Sequence, residues 1–273
     1  MENSKPTKSP HCPSTQLLPH DGVALSDPTG YRSMVGALQY LTFTHPDLAF
    51  SVHQLCQFMS NPTTIHLEAT KRVLKYLHGT LHHGISFSPS PLTLTTFSDA
   101  DWAGDPYNRH STTGLLVFLG PSPISWSSKK QTTVARSSTE AEYRALASIA
   151  AEMSWLRILF KELRIFLSHV LVLWCDNASA IAVSTNPVFH SHTKHIEVDY
   201  HYVREKVLRR DLCVRFVSGK DNLADIFTKS LPSPSFLLQC RKLLLDTSPK
   251  SLRGDVSDHG DSTSEKLKKV KNG

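Results

Sequence analysis

Four acidic residues far apart in the chain, Asp99, Glu142, Asp176 and Asp225, stand where a carboxylate can be held rigid while facing a cleft. Asp99 follows a run, residues 92–97, in which apolar and polar side chains alternate with the period of a strand covered on one face. Beyond it the chain turns into a loop rich in Gly, Asp and Pro. Glu142 sits on a helix, Asp176 at a second strand end and Asp225 at a helix start. If they converge, such groups repel one another strongly unless a cation lies between them. Hard divalent ions such as Mg²⁺ take oxygen ligands, and two of them can clamp a phosphodiester during in-line attack. Metal-assisted cleavage of a phosphodiester is therefore the chemistry these residue types point to.

Neighbouring acids separate on geometry. Asp101 shares the face of Asp99 if the strand runs on, whereas Asp105 lies beside Pro106 in a turn. At ~100° per residue, Glu142 points the same way as Leu146, Ile149, Met153 and Phe160. Glu140 points the other way, four residues before Arg144, an ordinary surface ion-pair spacing. An acid heading an apolar stripe is costly to bury without compensation, and a metal compensates. Asp176 follows the apolar run 170–175 and precedes Asn177, which suits a helix cap; the carboxyl ends of central strands are common ligand positions. Asp221 serves a turn. Asp225 lies beside Leu223, Ile226 and Phe227.

The cluster His190-Ser191-His192-Thr193-Lys194-His195 invites a zinc site, but no paired cysteines accompany it, and a basic helix lead-in fits better. A Ser/His/Asp hydrolase lacks the Gly-x-Ser-x-Gly turn. Lys71, Arg72 and Lys75 share a helix as a solvated face or as phosphate contacts. Lys129, Lys130 and Arg136 fall between a strand and the helix of Glu142, beside the proposed cleft.

The elements that must position these groups occupy most of the 273 residues, 40% of them hydrophobic, enough for one good-sized core and a smaller second one. With 30 basic against 24 acidic residues the formal charge is +6, which suits a polyanionic partner without requiring one. Five cysteines without Cys-x-x-Cys spacing argue against a disulfide framework and for a reducing, intracellular setting. The polar N-terminus carries no signal-peptide pattern, and no stretch approaches the ~18 apolar residues of a membrane span. Residues 1–30 read as a disordered linker, residues 31–90 as three short amphipathic helices, and residues 246–273 as a disordered tail. The second of those helices opens at Pro46; the third is capped by Asn61-Pro62 and ends at Gly79. Between them, residues 91–245 give strands at 92–97, 113–119 and 124–128, a helix at 138–164, a buried strand at 170–175 and a short helix from Asn177. A helix at 198–209, a strand at 212–217 and a final helix from Asn222 complete the set. The fold class is α/β, a mixed five-stranded sheet with flanking helices preceded by a small helical subdomain.

Ser98-Asp99-Ala100-Asp101-Trp102-Ala103-Gly104, Ser137-Ser138-Thr139-Glu140-Ala141-Glu142-Tyr143, Trp174-Cys175-Asp176-Asn177 and Val217-Ser218-Gly219-Lys220-Asp221-Asn222-Leu223-Ala224-Asp225 resemble the ribonuclease H domain of copia-type retrotransposon polyproteins. Tyr31-Arg32-Ser33-Met34-Val35-Gly36-Ala37-Leu38-Gln39-Tyr40-Leu41, with Arg72-Val73-Leu74-Lys75-Tyr76-Leu77, resembles the connection from the reverse transcriptase to that domain, and Lys194-His195-Ile196-Glu197-Val198 another signature of the group. The resemblance implies a ribonuclease H-like sheet. It implies a catalytic and metal-binding set of Asp99, Glu142, Asp176 and Asp225 holding two Mg²⁺, with Mn²⁺ as an alternative. It also implies cleavage of the RNA strand of an RNA–DNA hybrid, which such a protein reads by shape and 2′-hydroxyl. Nucleic-acid contacts then fall to Lys129, Lys130, Arg136, Asn177 and Lys220. Partners are the hybrid and other parts of the Pol polyprotein, with no membrane. The setting is the cytoplasm, in a virus-like particle, or the nucleus. Two departures stand out. Many ribonucleases H carry a histidine before the last Asp, where this chain has Ser218-Gly219-Lys220-Asp221-Asn222. A Tyr-x-Asp-Asp polymerase turn and an integrase are absent, so the expectation is a C-terminal piece of a polyprotein without the polymerase core. The alternative is a catalytically silent nucleic-acid-binding remnant.

Overall fold

The computed structural model describes residues 4–12, 16–167, 170–185, 197–243 and 245–246. The His190–His195 cluster and all but the first residue of the expected tail lie outside them.

Three helices come first, α1 (Thr29–Leu41), α2 (Ala49–Cys56) and α3 (Thr64–Gly79). Pro46 opens a 3₁₀ turn, Pro46–Leu48, that leads straight into α2. The cap of α3 is Thr63 rather than Asn61: its hydroxyl lies 3.1 Å from His66 Nδ1, and that nitrogen also accepts from the Thr63 backbone N–H at 3.0 Å. The segment read as a linker lies against these helices. His66 Nε2 reaches Leu18 O at 3.2 Å, His11 stacks obliquely on Phe50, and Ala24 bridges Thr63. Leu17 and Leu25, half-buried, pack against the core, so scattered single apolar residues anchor a segment that shows no periodicity.

Strand β1 (Gly84–Ile85) pairs with β7 (Leu245–Asp246) at the far end of the chain. The main sheet comprises β2 (Leu94–Asp101), β3 (Thr112–Leu119), β4 (Ser122–Lys130), β5 (Leu171–Cys175) and β6 (Leu212–Phe216), in the order β4-β3-β2-β5-β6. β2, β3 and β4 form an antiparallel meander, and β5 and β6 add on in parallel. β4 is longer than expected at both ends. Gly120, at φ +59°, makes the turn from β3 tight enough for pairing to resume at Ser122. At the other end pairing runs on through Lys129 and Lys130, opposite Thr113 and Thr112.

Helix α4 (Ser138–Glu162) carries Tyr143, Leu146, Ile149, Met153 and Leu156 on one buried stripe against the sheet, and Ser137 Oγ caps it by accepting from Glu140 N at 3.1 Å. α5 (Ala178–Thr185) and α6 (Glu197–Leu208) complete that layer through Ala180, Tyr200 and Val203. The other face of the sheet is covered by α1–α3, by a 3₁₀ turn at Leu223–Phe227 and by α7 (Ser233–Lys242), the last two replacing the single helix expected from Asn222. Pro232 breaks the run between them. Leu116 and Phe118 of β3 share one apolar cluster with Tyr31, Val35, Leu38, Leu55, Tyr76 and Phe227. The helical segment is thus a wall of the same core. Among the described residues no helix is long and apolar enough to cross a membrane, and Cys56, Cys175, Cys213 and Cys240 are free thiols.

Candidate metal centre

β2 and β5 lie side by side and parallel, with Phe97 opposite Trp174. Two residues further along each strand come Asp99 and Asp176, so register alone sets these carboxylates next to each other at one end of the sheet. Glu142 arrives from the first turns of α4 on one side, its Oε1 accepting from Ala100 N at 3.2 Å. Asp225 arrives from the 3₁₀ turn on the other side. That turn fits because of Gly114, the residue opposite Asp99 on β3. A Cβ there would come within 2.7 Å of Thr228 Cγ2 and 2.8 Å of Ala224 O. Asn222, fully buried, fastens the same turn: its amide donates to Ser98 O at 3.0 Å while its Oδ1 accepts from Ala224 N at 3.1 Å.

The four carboxylates named from the sequence therefore come together. One oxygen each of Asp99, Asp176 and Asp225 lie within 4.8 Å of one another, as do an oxygen of Glu142, an oxygen of Asp176 and Cys175 Sγ. Asp99 is 1% exposed, Glu142 6% and Asp225 9%, so three of the four are nearly cut off from water. Burial, with Asp99 and Asp176 adding repulsion, pushes the Glu142 carboxyl up to about 9. Burial and Asp99 likewise raise Asp225 to about 6, and they raise Asp176, against the Lys229 charge and a hydrogen bond from Asn222. Glu142 Oε2 is buried with no hydrogen-bond partner. Such an atom is costly unless something electropositive meets it. Hard oxygen donors on several sides and one orphaned buried oxygen fit a divalent cation of the Mg²⁺ or Mn²⁺ type.

The remaining acids take the places their spacing predicts. Glu140 pairs with Arg144 at 2.7 Å, and Asp105 Oδ1 accepts from Tyr107 N and Asn108 N within its own turn. Strand β2 does continue to Asp101, but that carboxylate accepts from Thr112 N across the ladder and holds the loop, and burial raises it to about 7.

The basic residues divide. Lys129 and Arg136 are exposed, and so is Lys220, on the turn whose Gly219 faces Asp176. The Lys130 ammonium, by contrast, is tied to Asp105 and to Gln57 Oε1 at 2.8 Å, and the Lys130 backbone N–H donates to His53 Nε2 at 3.3 Å. It clips α2 to the end of β4, because the strand runs two residues further than expected. Asn177 caps α5, with Oδ1 accepting from Ala180 N at 2.9 Å. Arg72 is covered by the N-terminal segment, with Ser9 Oγ at 3.5 Å. The sequence reading missed Gly114, Asn222, Thr228 and Lys229. A glycine inside a strand and a Lys four residues after an Asp were the available signals. Thr228 Oγ1 donates to Asp99 Oδ2, and the Lys229 ammonium bridges Asp99 and Asp225.

Strand order, pairing sense and the carboxylate cluster at one sheet end together define a ribonuclease H-like α/β fold. No family model matches the chain. It is 50% identical over 237 residues to the retrovirus-related Pol polyprotein from transposon RE1 of Arabidopsis thaliana, covering 86% of this chain and 16% of that protein. Against the corresponding polyprotein from transposon RE2 of the same plant it is 49% identical over 255 residues, 93% of this chain and 18% of that one. A solved structure, LC11-RNase H1 isolated from compost, aligns with 50% of this chain and 93% of its own at 15% identity and a TM-score of 0.39. The chain thus resembles one segment of copia-type retrotransposon Pol polyproteins, and it spans about a sixth of the length of these two relatives.

Proposed function

We propose that this chain is the ribonuclease H segment of a Pol polyprotein, a metal-dependent endonuclease acting on the RNA strand of RNA–DNA hybrids, with residues 31–90 connecting it to a reverse transcriptase. The observation that carries this reading is the convergence of Asp99, Glu142, Asp176 and Asp225 at one end of the sheet, with one buried Glu142 oxygen left unpartnered. Those four side chains would hold two Mg²⁺, or Mn²⁺ in its place, which supply Lewis-acid stabilisation to a phosphodiester under attack. The chain's own part is to hold the donors still. The β2–β5 register fixes Asp99 against Asp176, the Ala100 N–H aims Glu142, and Asn222 and Gly114 let the Asp225 turn lie flat on β3. Lys129, Arg136 and Lys220 remain available for phosphate, as solvent-facing cations on a chain of net charge +6.

The test is cleavage of a labelled RNA–DNA hybrid in Mg²⁺, beside RNA–RNA and DNA–DNA duplexes, by the wild type and by Asp176→Asn. Hybrid-specific cleavage by the wild type and its loss in the variant are expected, with circular dichroism unchanged. Binding of the hybrid without cleavage at any divalent concentration identifies a silent nucleic-acid-binding remnant instead.

A further inference from the structure

The two halves of the centre are provided for unequally. On one side the Lys229 ammonium donates to Asp99 Oδ1 at 3.1 Å and to Asp225 Oδ1 at 2.9 Å, while Thr228 Oγ1 takes the second oxygen of Asp99. On the other side Glu142 has one backbone donor, its Oε2 has none, and among the described residues no cation stands within ion-pair distance of Glu142 or Asp176, which feel the Lys229 charge only from further off. Lys229 is thus the one cation that the described residues bring into an ion pair with the four carboxylates.

We propose that Lys229 is a positioning residue, a resident counter-cation that holds Asp99 and Asp225 together until a divalent ion displaces it, so that the Glu142–Asp176 half fills first. The inference rests on the metal-centre reading above and deepens it. An ion between Asp99 and Asp225 needs the same lone pairs that the ammonium uses, at ~2.0–2.1 Å for Mg²⁺. An ammonium left beside it adds like-charge repulsion in a nearly dry pocket. The Glu142 half has an oxygen with no donor to give up and no cation to expel. Lys suits the role because it is a compact charge on a flexible stem, and its side chain is 41% exposed, with an open path to solvent. Position matters too: Lys229 lies four residues after Asp225, so the element that delivers the carboxylate also delivers its partner.

Isothermal calorimetry with Mg²⁺ and with Mn²⁺, together with thermal melts in EDTA and in saturating Mg²⁺, compares the wild type with Lys229→Met and Lys229→Arg. Two unequal sites are expected in the wild type. In Lys229→Met the weaker site tightens by about tenfold or more, because a like charge is gone. The same variant melts below the wild type in EDTA, where the carboxylates lose their cation, and gains more from Mg²⁺ than the wild type does. Lys229→Arg keeps the wild-type EDTA melt and the inequality of the sites. Unchanged affinities and an unchanged Mg²⁺-dependent shift in Lys229→Met overturn the proposal alone. So does a Met variant that stays unfolded in saturating Mg²⁺, since an ion can replace a counter-cation but not a packing residue. No divalent binding by the wild type overturns both this proposal and the metal-centre reading.

Discussion

The two faces of the sheet are covered in different ways. The α4 face is closed by elements that follow one another along the chain, and its cluster of Leu94, Val117, Tyr143, Leu146, Ile149, Leu173 and Val203 is almost purely apolar. The opposite face is closed from both ends of the chain, with Tyr31, Val35 and Leu55 meeting Phe118, Phe227 and Phe236. That second cover has polar joints inside it. Tyr76 donates to the buried Asp47 at 2.6 Å, Trp126 Nε1 donates to Thr42 O at 2.7 Å, and Lys130 N donates to His53. Each cover also delivers one carboxylate to the centre, Glu142 from the α4 side and Asp225 from the other. The lesson is that half of the centre depends on helices that look, in the sequence, like a separate unit.

The severest way to break this comparison is to remove one cover. A chain beginning at residue 91 leaves Leu116, Phe118, Ile226 and Phe227 facing water, and it is expected to lose cooperative unfolding and near-ultraviolet dichroism. A sharp melt within a few degrees of the full chain would show that the second cover is dispensable.

Single core truncations sharpen it. Phe227→Ala should cost ~3–5 kcal/mol and Leu173→Ala ~2–5 kcal/mol in urea denaturation. Only Phe227→Ala should also weaken the stabilisation by Mg²⁺, because Phe227 anchors the turn of Asp225. Equal Mg²⁺ responses in the two variants would mean that the turn holds its place without that anchor.

Acid and base should strain opposite regions. Burial first, and then the Lys130 charge, lowers His53 to about 4, so between pH 6.5 and 4 the unfolded chain takes a proton that the fold refuses. The stability concerned is present above pH ~6.5 and fades toward pH 4, at most about 1–3 kcal/mol, and His53→Gln should flatten that limb. Glu142 and Asp225 are raised to about 9 and about 6, so the metal-free fold holds protons that the unfolded chain has released. Its stability therefore falls as pH rises through 6 and toward 9, and Mg²⁺ should abolish the fall. A metal-free melting temperature flat from pH 5 to 9 would contradict the crowding of carboxylates.

The smallest effect concerns the outer side of α4. Glu140→Gln should cost only ~0.3–0.5 kcal/mol, the value of an i,i+4 pair, and leave metal binding alone, whereas Glu142→Gln should abolish cleavage. Reversed behaviour would exchange the two faces of the helix.

Much of this was legible because periodicity and end signals are local. The alternation before Asp99, the apolar run before Asp176 and the stripe shared by Glu142, Leu146 and Met153 each place a side chain on its element without any knowledge of the fold. The element order, three strands and then helix and strand in turn, narrowed the sheet to a mixed one. Single glycines and lysines carried no such pattern. Gly114 reads as a weak point in a strand, and only the approach of Ala224 and Thr228 gives it a purpose. Lys130 reads as a free cation beside a cleft until β4 extends and Asp105 and Gln57 close on it.

By itself, then, the sequence determined which residues could be ligands, which faces they occupy and the class of fold that carries them, since those follow from backbone periods of two and 3.6 residues. The tertiary structure alone decided that residues 31–79 wall the same core as the sheet and that Lys229 sits between two of the carboxylates. Both depend on contacts between segments up to about 200 residues apart, and no local pattern encodes which distant surface a helix or an ammonium will meet.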